Sequence, residues 1–147
     1  MRLLVFVLVF VIMQLAISYL MIALYVHIIR APNQLVQYRP PFSWERTFYV
    51  CLIFPIVGTL FFQVFLIKLF RYIIKNVCLS ILLSAFLFGL SHYTTVYYQT
   101  TAFFSGLLYG LAFALADLRT GNVWKAFAIV FTIHFSYNSI VNILNTL

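Results

Sequence analysis

The feature that most constrains this chain is that its charges are confined to the ends of long apolar runs. Only 7% of its 147 residues are charged, against 65% hydrophobic, with a mean hydropathy of +1.09. A soluble domain carries about 25% charged residues, so these runs belong in a bilayer. A span needs about 20 apolar residues at about 1.5 Å each. Segments at about 3–29, 47–70, 74–93, 101–118 and 123–145 meet that requirement. The expected fold is therefore an all-α polytopic membrane protein, a bundle of about five transmembrane helices forming one domain over 1–147. The first run exceeds a hydrocarbon core of ~30 Å and should tilt or protrude. It starts with a basic residue like a signal sequence, but continues to Ile29 without a small-residue cleavage site, which reads as a retained anchor. Residues 31–46 carry prolines that stop a helix. Their Tyr38, Phe42 and Trp44 suit an interfacial loop at headgroup level.

The net charge of +7 would suggest nucleic acid in a soluble protein. Here the cations punctuate hydrophobic segments, so orientation in the membrane and contact with the lipid bilayer account for them, and no nucleic-acid partner is expected. Arg2, Lys68, Arg71, Lys75, Arg119 and Lys125 fall on one side of the five-span arrangement, and Arg30, Arg39 and Arg46 on the other. The excess predicts a cytoplasmic N-terminus and an extracytoplasmic C-terminus. Cys51 and Cys78 fall near opposite ends of neighbouring spans and are not expected to pair. Asp117 precedes Gly121-Asn122, which reads as a helix end and a turn.

Polar groups inside apolar runs are costly unless partnered, which makes them site candidates. His134 and Asn138 are four residues apart and share a helical face, and Asn145 falls within about 20° of His134 at 100° per residue. Thr59 and Gln63 repeat that spacing after Pro55, and His92 stands one turn beyond Phe88. Three helices thus each bring polar groups that should converge. Two imidazoles without a carboxylate make a poor zinc site, since catalytic zinc normally takes three protein ligands, so neither a metal nor another cofactor is expected. Ala102, Gly106, Gly110 and Ala114 form a small-residue stripe at four-residue spacing, a pattern that lets a neighbouring helix approach closely; packing inside the bundle is the expected use.

Phe88–His92 and His134–Asn138 resemble the FxxxH and HxxxN motifs of the CPBP family, the Abi or CAAX-protease-like intramembrane proteases. The resemblance extends through Leu87–His92, Phe104–Gly110 and Thr120–Ala126 and covers about residues 47–145. The segment Phe54–Gln63 is similar to the first motif, EExxxR, but Gly58 and Thr59 stand where that motif has its glutamates and Gln63 where it has arginine. In the family a motif-one glutamate is taken to activate the hydrolytic water. Loss of a general base typically forfeits 10²–10⁴-fold in rate. The resemblance therefore implies the fold and a place in a bacterial plasma membrane, while the substitutions imply a pseudoprotease. Such a protein would act as a scaffold or regulator in a protein–protein complex. A groove of Gln63, Phe88, His92, His134 and Asn138, rimmed by Tyr93, Tyr97 and Tyr98, would take the transmembrane or juxtamembrane segment of a membrane-anchored partner with an extracytoplasmic domain. The alternatives are an atypical intramembrane metalloprotease using His92 and His134, and a bacteriocin-immunity protein.

Overall fold

The computed structural model describes residues 2–30 and 43–146, with side chains described through residue 144. Five helices follow one another: α1 (Leu3–Ile28), α2 (Trp44–Ile74), α3 (Val77–Leu90), α4 (Val96–Thr120) and α5 (Val123–Thr146). Four of them are long and apolar enough to cross a membrane, and α3 is a shorter apolar helix. The chain is an all-helical, multi-pass membrane protein. The interfacial loop expected over 31–46 lies outside the described residues as far as residue 42.

Several boundaries differ from expectation: α2 runs on to Ile74, α4 starts already at Val96 behind a Thr95 cap, and at the start of α2 and both ends of α3 polar side chains also set the limit. Helix α2 starts at Trp44 rather than 47, since the Ser43 hydroxyl accepts from the Arg46 amide at 3.4 Å and Glu45 stands in the first turn, where the helix dipole favours an acid. Helix α3 is shortened at both ends. Asn76 caps its start by accepting from the Leu79 amide at 3.0 Å, just after Lys75 has closed α2 in a left-handed conformation. At the other end the Ser91 hydroxyl and the His92 ring both reach back to the Phe88 carbonyl, at 2.7 Å each. Helix α4 ends as its sequence indicates, on Gly121 at φ +60°, whose amide bonds the Asp117 carbonyl at 2.9 Å.

Helix α2 is not wound uniformly. Residues Tyr49–Ile53 and Thr59–Leu66 are π-wound, with α-helical turns between and around them. Proline in a helix interior removes a donor and clashes with the carbonyl four residues back, and a widened turn relieves the clash. Pro55 follows the first π turn directly. The second carries Thr59 and Gln63, both fully buried.

The core gathers Phe6, Phe10 and Val11 of α1 with Tyr109, Phe113 and Ala116 of α4 and Ala126, Val130 and Ile133 of α5. Helix α1 is thus part of the bundle. It is also pinned by polar contacts: Ser18 to Tyr137 on α5 at 2.6 Å, Gln14 to Ser105 on α4, and Tyr25 to Thr100 at 3.2 Å. At one end of the bundle Asp117 holds Lys68 at 2.7 Å and Arg71 at 3.4 Å, tying α4 to α2. Cys51 is buried and Cys78 exposed, and both are free thiols.

The small-residue stripe of α4 sits against α3. A Cβ added at Gly106 would lie 3.0 Å from Ala85 Cα and from Phe88 Cδ1, and one at Gly110 would lie 2.8 Å from Ile81 Cγ2. Ala102 is buried in the same core, and Ala114 packs at its edge. Gly106→Val forces these helices apart, and we expect a loss of about 1–3 kcal/mol, read as a lowered midpoint in thermal or SDS unfolding in mixed micelles. An unchanged midpoint would show that α3 and α4 do not pack through Gly106.

Candidate functional site

The two histidines singled out in the sequence come together around the ring of Phe88. Its centroid lies 4.6 Å from the His92 ring, 6.1 Å from His134, 6.2 Å from Tyr109 and 5.1 Å from Phe62. Three helices and the α3–α4 turn therefore meet at one aromatic side chain. Phe88 is itself buried, because the absence of a side chain at Gly106 lets it lie against α4.

His134 is the interior member of the pair. It is 6% exposed, stacks on Tyr109 with centroids 4.4 Å apart, and has its Nδ1 3.4 Å from Thr59 Oγ1. His92 is the outer member, half-buried in the turn after α3, with its ring 4.9 Å from that of Tyr98. Its Nδ1 lies 2.7 Å from the Phe88 carbonyl. A carbonyl can only accept, so this bond assigns the proton to Nδ1 and leaves the Nε2 lone pair available to a ligand or a proton.

Position 58 faces this centre. A Cβ built on Gly58 would stand 3.6 Å from His134 Cε1 and 3.6 Å from Phe88 Cε2, which is ordinary van der Waals contact. Any longer side chain there would start from contact with His134 and Phe88. Gly58 and Thr59 are thus placed where a group acting with His134 would have to be. Neither supplies a carboxylate. The chain's two acids are elsewhere: Glu45 is exposed in the first turn of α2, and Asp117 is held by Lys68 and Arg71. Among the described residues, no three His, Cys, Asp or Glu side chains cluster as metal ligands would.

Asn138 is committed to the backbone. Its Nδ2 donates to the Val50 carbonyl at 2.8 Å. The reason lies in the π turn of α2, where the Phe54 amide bonds Tyr49, five residues back. In that register the Val50 carbonyl would look to residue 55, a proline without an N–H. Asn138 fills the vacancy from α5, and one turn further on Asn142 Nδ2 donates to Thr47 Oγ1 at 3.2 Å. On α3, Ser84 donates to the Phe62 carbonyl inside the second π stretch at 2.6 Å.

Of the five residues expected to line a groove, Gln63, Phe88 and His134 are buried, while His92 and Asn138 keep partial exposure. In a groove, the buried three would form the floor and the other two the rim. Gln63 has no partner for either amide atom among the described residues, and the same holds for the Tyr109 hydroxyl and Gln14 Oε1. The side chain of Asn145 lies outside the described ones. The sequence reading overlooked the polar stripe Thr101, Ser105 and Tyr109 on α4, and the pair Gln14 and Ser18 on α1. Four-residue spacing was the available signal in both. On α4 it was hidden by the small residues of the neighbouring register.

These features define a polytopic helical membrane protein with an interior histidine site at the junction of α2, α3 and α5. Over residues 40–140 the chain matches the family described as type II CAAX prenyl endopeptidase Rce1-like, and it belongs to that family. That range takes in α2, α3, α4 and most of α5 and leaves α1 outside it. Neither the curated proteins nor the solved structures include a match.

The orphan carbonyl explains Asn138 in a way that can be separated from any role in the site. Asn138→Ala should lower stability by about 0.6–2 kcal/mol. Pro55→Ala restores an N–H at position 55, so the same asparagine substitution should have a smaller effect in that background. The two single and one double variants form a thermodynamic cycle, measured by unfolding. Additive effects would mean that Asn138 does not serve the carbonyl left by Pro55.

Proposed function

We propose that this chain is a non-catalytic member of its family, a membrane scaffold or regulator that holds the transmembrane or juxtamembrane segment of a membrane-anchored partner. The observation that carries this reading is position 58. It projects onto His134 and Phe88, and it bears no side chain. Hydrolysis in a membrane needs a base to activate water and donors for the developing oxyanion. Thr59 offers a hydroxyl, His134 is stacked and bonded in the interior, and Asn138 is engaged with Val50. The residues that remain are suited to binding.

The partner would meet the rim rather than the floor. His92 offers a free Nε2, Tyr98 stands beside it, and Tyr93 is exposed at the same turn. Hydrogen bonds between helices in lipid contribute about 0.6–2 kcal/mol each, so packing on this aromatic rim supplies most of the affinity. The distribution of basic residues favours a cytoplasmic N-terminus, and with that orientation the partner's functional domain would be extracytoplasmic.

The test is affinity purification of the tagged protein in mild detergent, with mass spectrometry of what accompanies it. One stoichiometric, uncleaved membrane-anchored partner is expected. Gly58→Glu should reduce its recovery several-fold, because it introduces a carboxylate among buried aromatic rings, and His92→Ala/Tyr98→Ala should do so by removing the rim. A partner recovered as a fragment cut at its membrane segment, and intact with His92→Ala/His134→Ala, would make the protein a protease.

A further inference from the structure

The bundle carries a second concave feature, remote from the histidines and half built by the helix that lies outside the family match. A cavity of about 480 Å³ lies between α1, the end of α4 and the start of α5, lined by Leu3, Phe6, Ala116, Arg119, Lys125 and Ile129 among others. A second hollow of about 480 Å³ shares Leu3, Ala128 and Ile129 with it and continues past Val7 to Thr132. Together they form one furrow between α1 and α5, within the usual size range of small-molecule sites of about 300–1,000 Å³.

The furrow is amphipathic along its length. Apolar residues line most of it, and the only charged side chains in its walls are Arg119 and Lys125, at the α4–α5 turn. Neither forms an ion pair among the described residues. Asp117, the acid nearest them in sequence, is already shared by Lys68 and Arg71. Trp124, next to Lys125, is 65% exposed, as suits a headgroup-level anchor. A pair of unneutralised cations at the mouth of an apolar furrow is complementary to one kind of neighbour.

We propose that this furrow binds an anionic glycerophospholipid of the surrounding bilayer, its phosphate at Arg119 and Lys125 and one acyl chain between α1 and α5. A soluble anion would leave the apolar walls unused. A third helix, about 10 Å across, would have to part α1 from α5, which are pinned further along at Ser18–Tyr137. A flexible acyl chain needs no such opening. The bound lipid fastens α1 to the α4–α5 turn and so completes the bundle on the side where the family match ends. This inference does not rest on the reading of the histidine site.

The protein would be reconstituted in nanodiscs of equal phosphatidylcholine and phosphatidylglycerol, and the lipids it retains counted by native mass spectrometry after release. One phosphatidylglycerol per chain is expected, favoured over phosphatidylcholine by roughly thirtyfold if each cation contributes about a factor of five. Arg119→Gln/Lys125→Gln should bring that preference close to unity. Ala128→Trp, at an exposed position in the furrow, should remove both lipids from the retained set. Equal retention of the two lipids by the unmodified chain overturns the proposal, as does phosphatidylglycerol retention that neither variant changes. A protein displaced by Ala128→Trp, with no retained phosphatidylglycerol, does so too and makes the furrow a polypeptide site. Should Ala128→Trp fail to fold, the double glutamine variant decides alone, since both of its positions are exposed.

Discussion

In hydrocarbon there is no water to take up a backbone group that loses its partner, and each unsatisfied group costs several kcal/mol. Much of this structure follows from how that constraint is met on α2. Pro55 and the two π-wound stretches disturb the regular ladder, and neighbouring helices repair it: Asn138 donates to Val50 from α5, and Ser84 donates to Phe62 from α3. The repairs also fix where the helices sit. A side chain bonded to one named carbonyl sets both rotation and depth, which apolar packing alone does weakly, since lipid tails are as apolar as leucine. The histidine site is therefore assembled on the most irregular helix, at the place where its backbone is held from two sides.

Small residues do the complementary work. Gly106 and Gly110 let α3 come close enough to α4 for Phe88 to lie beneath both imidazoles, and Gly58 leaves room on the opposite wall. These glycines are used for close approach, not for unusual dihedrals; the positive φ of Gly121 serves a different end, closing α4. The site thus depends on what is missing at three positions as much as on the rings present. A side chain at 106 or 110 would strike the neighbouring helix, whereas one at 58 would meet only van der Waals contact. Among the described residues no acid stands at this centre, since Glu45 is exposed and Asp117 is paired with Lys68 and Arg71.

The five helices could be read from the apolar runs, because run length and charge placement are one-dimensional quantities. The residues of the site could be picked out for the related reason that polar groups in such runs need partners. What the pattern did not reveal is which partner each one takes. Asn138 reads as a groove residue until the π turn before Pro55 shows a carbonyl waiting for it. Gln63 and His134 read as groove walls, yet both are buried, and Thr59 and Gln63 on the π-wound stretch face fully inward. Helix α3 was expected to span, and capping by Asn76, Ser91 and His92 stops it early. Each of these outcomes depends on local winding or a side chain reaching the backbone, neither of which leaves a hydropathy signature.

Helix α1 shows how the rest of the bundle limits the site. It lies outside the family match, yet Gln14 reaches Ser105, one turn from the tyrosine that stacks on His134, and Ser18 holds Tyr137, three residues beyond that histidine. These contacts close the flank formed by α4 and α5. The opposite flank is closed by α2 and its carbonyl repairs, and Phe88 blocks the centre. What is left is the turn at His92, with Tyr93 and Tyr98 around it and an imidazole nitrogen not bonded to the backbone. On the proposed reading, a partner would lie against that turn. The exposed turn at His92 and the uncharged residues at 58 and 59 are the two features on which the proposed scaffold reading rests.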